Sequence, residues 1–239
     1  MRKKSLRFWL LAVPATVLAM LAVPVDDLNA AVVPPPVRAL VLTDLGDPGD
    51  IVTRMQAHSW QVTSLGVLSV LGPATETYSA SYDVIWIPAQ SNFPGIHRLV
   101  SSGTMDAFIK KGGVLVIVDA NPVGVWPDLA PGGADAEALP AGGAAPLTIT
   151  KPDHPMITGT GIGGVAVTTA DLDPQGTGGR GCIINAPQEG GPVAIVSNAL
   201  GPVLVEHTHG SGRVLMTALK NPTANCVENM ILYVQSLLP

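Results

Sequence analysis

The sequence predicts an α/β domain: a mostly parallel, flavodoxin-like sheet flanked by helices, with antiparallel strands added in the C-terminal half. Short, continuously apolar runs such as residues 83–88 and 114–118 indicate strands that are buried on both faces, as in a parallel sheet covered by helices. These runs alternate with helical segments, which is the order of parallel βαβ units. The domain is predicted to span residues 37–239.

The first half of the domain contains the predicted parallel strands. Asp50 is placed to cap a helix, and Gly112-Gly113 ends another helix directly before the most hydrophobic strand. In chain order we predict strands at residues 37–44, 61–71, 83–88 and 114–118, with helices that start at Asp50 and span residues 104–111.

The second half begins with residues 127–146, which are almost all Pro, Gly, Ala or acidic. We predict a solvated surface insertion there, and a lid over a site is the alternative. Shorter strands separated by turn residues follow, which is typical of antiparallel additions. They are predicted at residues 164–169, 182–185, 192–197 and 202–206, before a hairpin turn at 210–212, a strand at 213–219 and an amphipathic helix at 227–238.

The N-terminus has the three parts of a secretory signal peptide. Four basic residues within the first seven precede an apolar run at residues 8–25, and Leu28-Asn29-Ala30 is an acceptable cleavage site. An uncleaved membrane anchor is the alternative, since such a run approaches the roughly 18 residues that span a bilayer. Its two prolines favour cleavage. We predict a signal peptide at residues 1–30, a Pro-rich linker at 31–36, and a secreted or periplasmic protein without a stable membrane span.

The charge balance limits the partners. The chain has 13 Lys and Arg against 18 Asp and Glu; removing residues 1–30 leaves 9 against 16, a net charge of −7. Nucleic acid is not an expected partner, because neutralising phosphates requires clustered Lys and Arg. We expect a small-molecule or carbohydrate ligand, or a protein of the cell envelope. We expect no cofactor, because the Gly-rich turns lack the strand-to-helix context of a phosphate-binding loop.

Two cysteines, Cys182 and Cys226, remain in the mature chain. In an oxidising compartment an even number of cysteines favours a disulfide, so we predict a bridge between them. A pair of buried free thiols is the alternative. Their spacing differs from the Cys-x-x-Cys spacing of redox and zinc sites.

Three short motifs follow one another in a specific order. In chain order, Gly112-Gly113 leads into a hydrophobic strand, and Asp153-His154-Pro155 then precedes Ile157-Thr158-Gly159. Last, Gly210-Ser211-Gly212 leads into the strand that begins at Arg213. In this order the chain resembles the class I glutamine amidotransferase-like superfamily over residues 37–238. It is most similar to trehalose-utilisation-type and other branches that are not amidotransferases.

The resemblance implies two catalytic positions, and both are changed in this sequence. Active amidotransferases carry a nucleophilic cysteine at the end of the strand that follows the Gly pair, where Asp119 stands here. Their catalytic histidine follows the late strand, where Asn221 stands here. An amide cannot take a proton from a thiol at neutral pH. Cys-His amidotransferase chemistry is therefore not expected, and whether another reaction remains is open.

Polar residues at the predicted strand ends suggest a ligand crevice, because α/β sheets bind ligands outside the carboxyl ends of their strands. Amide and carboxylate groups there would suit the hydroxyl groups of a sugar, or a peptide. The alternative is that these are ordinary turn and cap residues. The candidate ligand-binding residues are Gln90, Ser91, Asn92, Asn121 and Asn221, beside the acidic residues Asp44 and Asp119.

Two histidines make a weak candidate for a metal site. His207 and His209 are two residues apart and would share one face of a strand, a spacing that can chelate zinc. His154 is the one suggestion for a third ligand. Since the pair lies beside a hairpin turn, where polar residues are ordinary, we predict no metal.

These observations favour a catalytically degenerate amidotransferase-like domain, a pseudoenzyme, that binds a carbohydrate, an envelope component or a protein. The alternative is a sugar-directed hydrolase or lyase in which Asp119 acts with Asp44 or His154 as acid and base. That chemistry requires environments that separate the pKa values of the two groups. A purely structural partner in an envelope complex is the third hypothesis.

Cleavage of the signal peptide is directly testable. Expression of the full chain in a bacterium should yield a protein that begins after Ala30, because export machinery removes the apolar leader at a small residue. Intact-mass spectrometry of the purified product measures this, and a mass that retains residues 8–25 would contradict the prediction.

Overall fold

The core of the molecule is an eight-stranded sheet of mixed direction with helices on both faces. The computed structural model describes residues 35–43, 49–66, 81–88, 103–118, 135–138, 146–176, 182–185, 190–219 and 221–239. The strands of this sheet are β1 (Arg38–Thr43), β2 (Gln61–Gly66), β3 (Val84–Ile87), β4 (Val114–Ile117), β6 (Thr148–Ile149), β8 (Val193–Ser197), β9 (Pro202–His209) and β10 (Gly212–Thr217). Across the sheet they follow the order β2-β1-β3-β4-β10-β9-β8-β6.

The first five strands in this order run in the same direction, and from β10 onward each strand is antiparallel to its neighbour. Strands β1, β2, β3, β4 and β10 are parallel to one another, whereas β9 is antiparallel to β10 and β8 is antiparallel to β9. A separate antiparallel pair joins β5 (Asp135–Ala138) to β7 (Cys182–Asn185). The predicted fold class, a mostly parallel sheet with antiparallel additions in the C-terminal half, is confirmed.

Every residue of β3 and β4 is buried, which explains their uninterrupted apolar sequences. A strand covered on both faces has no solvent side on which a polar residue would be favoured. The helices of the described residues are α1 (Gly49–Ala57), α2 (Thr104–Lys110), the single turns α3 (Pro155–Thr158) and α4 (Thr169–Leu172), and α5 (Ala224–Ser236).

Contacts from β9 show which helix covers which face. Glu206 meets Tyr233 of α5, and His209 meets Asp106 of α2. Side chains three positions apart on a strand point to opposite faces, so α5 and α2 lie on opposite sides of the sheet. Helix α1 lies on the α5 side, since Trp60, just after it, donates a hydrogen bond to Gln235 at 3.2 Å.

A buried amide ties α5 to the chain that precedes α4. Asn229 is fully buried, and its side-chain NH2 group donates to the carbonyl oxygens of Met156 at 2.9 Å and Val165 at 2.6 Å. Its side-chain oxygen accepts from the Val165 N–H at 3.1 Å. A Cβ atom at Gly164 would overlap the same oxygen, so the close approach requires glycine. This interaction fixes residues 156–165 against the helix.

The strand predicted at residues 164–169 is therefore wrong. The backbone of Val165 bonds to the Asn229 side chain rather than to a neighbouring strand, and α4 begins at Thr169. The segment predicted as a surface insertion contains β5, and β9 continues past its predicted end to His209. Strand β2 ends at Gly66, and residues 67–71 of its predicted range lie outside the described residues.

Within the part of the chain that the structure describes, none of the helices has the length and apolar character needed to cross a bilayer.

Replacing Asn229 tests this interaction. Asn229→Ala should lower the free energy of unfolding by about 2–4 kcal/mol, because it removes three hydrogen bonds and leaves the buried carbonyl oxygen of Met156 without its partner. Urea titration measures the change. The matched control is Asn225→Ala, an exposed asparagine one turn earlier on α5, which should change stability by less than about 0.5 kcal/mol. Equal effects of the two substitutions would show that the three hydrogen bonds contribute little.

Candidate functional site

The carboxyl ends of β1, β3, β4 and β10 lie at one edge of the sheet, because these strands are parallel. This is the edge at which α/β sheets bind ligands. Most of the residues predicted to form a crevice there lie outside the described residues, so their meeting in one crevice stays a prediction. They are Asp44, Gln90, Ser91, Asn92, Asp119 and Asn121.

Asn221 is the one predicted ligand-binding residue that the structure describes. It is exposed and follows β10, and its φ of 49° places it in the left-handed region that asparagine adopts more readily than most residues. The backbone before it is held by a hydrogen bond from the Leu219 N–H to Thr217 Oγ1, at 3.0 Å. Asn221 therefore emerges from a fixed strand end.

His154 lies elsewhere, beside the middle of the sheet. Its Nε2 atom is 3.5 Å from Glu206 Oε2. Glu206 pairs with Leu215, which in turn pairs with Val116 of β4. Val116 is the third of the four residues of β4. The structure thus brings His154 to Glu206, and a joint action of His154 with Asp119, which lies outside the described residues, stays a prediction.

Glu206 is the buried centre of a polar cluster formed with His154, Arg213 and Tyr233. The Tyr233 hydroxyl donates to Glu206 Oε2 at 2.5 Å, and Arg213 Nη1 lies 3.5 Å from Oε1. The His154 and Tyr233 rings meet edge to face, with centroids 4.7 Å apart. His154 Nδ1 accepts a hydrogen bond from the Met156 N–H, which leaves Nε2 to carry a proton toward Glu206.

The environment of Glu206 keeps it charged. Burial opposes the charged form, but hydrogen bonds from His154 and Tyr233, with the electrostatic effects of His154 and Arg213, hold the pKa of the carboxyl below its usual value. Burial and the hydrogen bond to Glu206 raise the pKa of Tyr233, so its hydroxyl stays protonated and donates.

The bonds within this cluster indicate a structural role. It contains no activated nucleophile, since the tyrosine is held neutral, and every member bonds within the cluster. It joins β9 to α5 and to the start of α3. Glu206 and Tyr233 are site residues that the sequence did not single out. The available signal was a carboxylate within the apolar run of β9, because a charged residue is rarely buried unless it is paired.

The two histidines of the weak metal candidate share a face of β9, as predicted, but differ in surroundings. His207 is 1% exposed, and His209 Nε2 lies 2.5 Å from Asp106 Oδ1. His154 contacts Glu206, on the other face of the strand, and so is not placed to complete a site with them. Among the described residues, no group of three or more His, Cys, Asp or Glu side chains could hold a metal ion.

The predicted disulfide between Cys182 and Cys226 is wrong, because Cys226 is a free thiol. It lies in α5 and is 2% exposed, within the apolar core. Burial, with a smaller effect from the negative charge of Asp171, raises the pKa of the thiol to about 12. Cys182 lies in β7, which pairs with β5 outside the main sheet.

Comparison with known proteins rests on solved structures, since neither a family model nor a curated protein matches the sequence. Cytoplasmic Protein STM3548 from Salmonella typhimurium matches 83% of this chain and 98% of its own, at 11% identity and a TM-score of 0.53. Cytoplasmic Protein STM1381 from Salmonella typhimurium LT2 matches 84% and 100%, at 12% identity and a TM-score of 0.50. A Thermoplasma acidophilum protein proposed to be part of a GMP synthase matches 84% and 94%, at 8% identity and a TM-score of 0.49.

Identities this low show the fold and nothing about activity. The fold is the class I glutamine amidotransferase-like fold, which the order of the motifs predicted. Similarity to the trehalose-utilisation-type branches in particular stays a prediction.

Replacing Glu206 by glutamine tests the charge of the cluster. The lowered folded-state pKa means that the carboxylate stabilises the fold above about pH 4.3, the unfolded value, and that this contribution is lost as the pH falls through the folded value. Glu206→Gln should therefore lower the free energy of unfolding by about 1–3 kcal/mol at pH 7. The difference from the wild type should shrink toward pH 3, as urea titrations at several pH values would show.

Glu228→Gln is the matched control. Glu228 also pairs with a histidine, His58, but both side chains are partly exposed, at 32% and 26%, and such a pair contributes about 1 kcal/mol or less. A difference between Glu206→Gln and the wild type that is unchanged from pH 7 to pH 3 would contradict a charged Glu206.

Proposed function

We propose that this protein is exported and acts by binding, as a catalytically degenerate member of the amidotransferase-like fold. Its ligand would be a carbohydrate, another component of the cell envelope, or a protein. The observation that carries this proposal is the absence of a usable thiol where the fold would need one.

The chain has two cysteines, and both are far in sequence from the predicted nucleophile position. Strand β4 ends at Ile117, Val118 follows it, and the next residue is Asp119. Cys226 lies within α5, and its raised pKa keeps the buried thiol protonated at neutral pH. Because the thiolate is the attacking species, a protonated, enclosed thiol does not supply a nucleophile.

The predicted base position supports the same proposal. Asn221 is exposed at the strand end where the resemblance places a histidine. Its amide has no basic nitrogen, although it can donate and accept hydrogen bonds. A strand-end crevice rich in amides would retain the ability to recognise hydroxyl groups after losing the ability to move protons.

The exported location rests on the N-terminal leader pattern, and the net charge of −7 without that leader fits a partner other than nucleic acid or anionic lipid. Secretion and binding are separable parts of this proposal: a protein retained in the cell could still bind through the same crevice.

The proposal predicts no glutamine turnover. Purified protein incubated with glutamine should release no more ammonia than the Asp119→Ala variant, because neither has a nucleophile and base in place. A coupled glutamate dehydrogenase assay measures this. Turnover by the wild type that Asp119→Ala abolishes would overturn the proposal and favour an enzyme that uses Asp119.

Binding is tested with an array of cell-envelope oligosaccharides. The wild type should bind at least one oligosaccharide, and Asn221→Ala should weaken that binding by about tenfold, the effect of losing one or two hydrogen bonds. Asn225→Ala, an exposed asparagine on α5, should bind as the wild type does. Cleavage of an oligosaccharide would instead support the hydrolase alternative, and equal binding by both variants would remove Asn221 from the site.

A further inference from the structure

A cavity of about 650 Å³ opens at the opposite edge of the sheet, where β3, β4 and β10 begin. Its volume is within the range of small-molecule sites in proteins, about 300–1,000 Å³. It is separate from the strand-end crevice, which lies at the carboxyl ends of the same strands. Side chains from α2 and from the chain after α5 form most of its apolar lining, chiefly Phe108, Leu237 and Leu238.

The two glycine motifs found in the sequence meet at this cavity. Gly112, Gly113 and Ser211 all line it. A Cβ atom at Gly113 would overlap the Phe108 ring, and one at Gly212 would overlap the Ile109 carbonyl oxygen. The end of α2, the start of β4 and the β9–β10 hairpin are thus packed backbone against backbone.

Two charged side chains, Asp83 and Lys111, line the cavity, and Asp83 is paired with Arg38. Asp83 accepts hydrogen bonds from the backbone N–H of Arg38 at 2.9 Å and from its Nε and Nη2 atoms at 3.2 and 2.7 Å. Burial alone would raise the pKa of Asp83, but these bonds and the charge of Arg38 lower it overall. These bonds hold the Asp83 carboxylate in place, and the positive charge of Arg38 compensates its negative charge.

The other charged side chain is Lys111, at the end of α2. Among the described residues no carboxylate pairs with it, whereas its neighbour Lys110 bonds to Asp106 at 2.8 Å and does not line the cavity. The cavity therefore combines an apolar lining with the hydroxyl of Ser211 and the exposed ammonium group of Lys111. We propose that it binds a small organic acid with an apolar body, whose carboxylate meets Lys111 and whose body lies against Phe108, Leu237 and Leu238.

Decanoate is a suitable probe, with 1-decanol as the neutral molecule of the same chain length. In ¹⁵N-labelled protein, decanoate should shift the backbone amide signals of Gly112, Gly113 and Ser211 with a single saturable isotherm. Lys111→Gln should weaken binding by about three- to fivefold, because Lys111 is exposed and an ion pair at the surface contributes up to about 1 kcal/mol. Decanol should bind more weakly than decanoate by a similar factor.

Lys110→Gln is the matched control and should leave the affinity for decanoate unchanged within about twofold. Because Lys111 is also the C-terminal cap residue of α2, where a positive charge favours the helix, melting temperatures of both variants are recorded alongside. Signal shifts spread over the whole surface, equal losses in the two lysine variants, or equal affinities for decanoate and decanol would each overturn the proposal. Failure here would leave the strand-end binding function untouched, because that site is at the other edge.

Discussion

Burial of the sheet on both faces is the constraint on which the rest of the molecule depends. Helices α2 and α5 cover opposite sides of β9, and the strands β3 and β4 are buried at every residue. A polar group in the middle of such a sheet must find its partners inside the protein. Chemistry directed at an outside molecule is thereby confined to the two edges where the strands begin and end.

Glu206 shows how that constraint is met within the sheet. Its carboxylate is 7% exposed and is compensated by His154, Arg213 and Tyr233, contributed by three other segments. A buried carboxylate whose partners all come from the protein stabilises one arrangement of those segments. The same side chains in a solvent-exposed cleft would be a candidate for acid–base chemistry; here they position α5 and the start of α3.

The parallel half of the fold was predictable from the sequence because local pattern and tertiary environment agree there. Continuously apolar runs such as those of β3 and β4 are typical of strands that are covered on both faces of a sheet. The strand predicted at residues 164–169 failed because a single distant residue, Asn229, takes the hydrogen bonds that a neighbouring strand would have taken. The predicted disulfide failed for a related reason: cysteine count carries no information about whether α5 turns Cys226 into the core. The candidate crevice was named from strand ends alone, and of its residues only Asn221 falls within the described part of the chain.

The contacts between α1 and α5 have a consequence for the order of folding. Trp60 and Gln235 are 175 positions apart, and β10 lies between β4 and β9 although it is the last strand to be synthesised. The central sheet therefore cannot close around an early nucleus, and its two halves remain unjoined until almost the entire chain is present. Such non-local closure is slow compared with local pairing. A chain with this connectivity completes its folding later than a chain whose fold is built from neighbouring segments. During that time it is accessible to the cellular machinery that handles unfolded polypeptides.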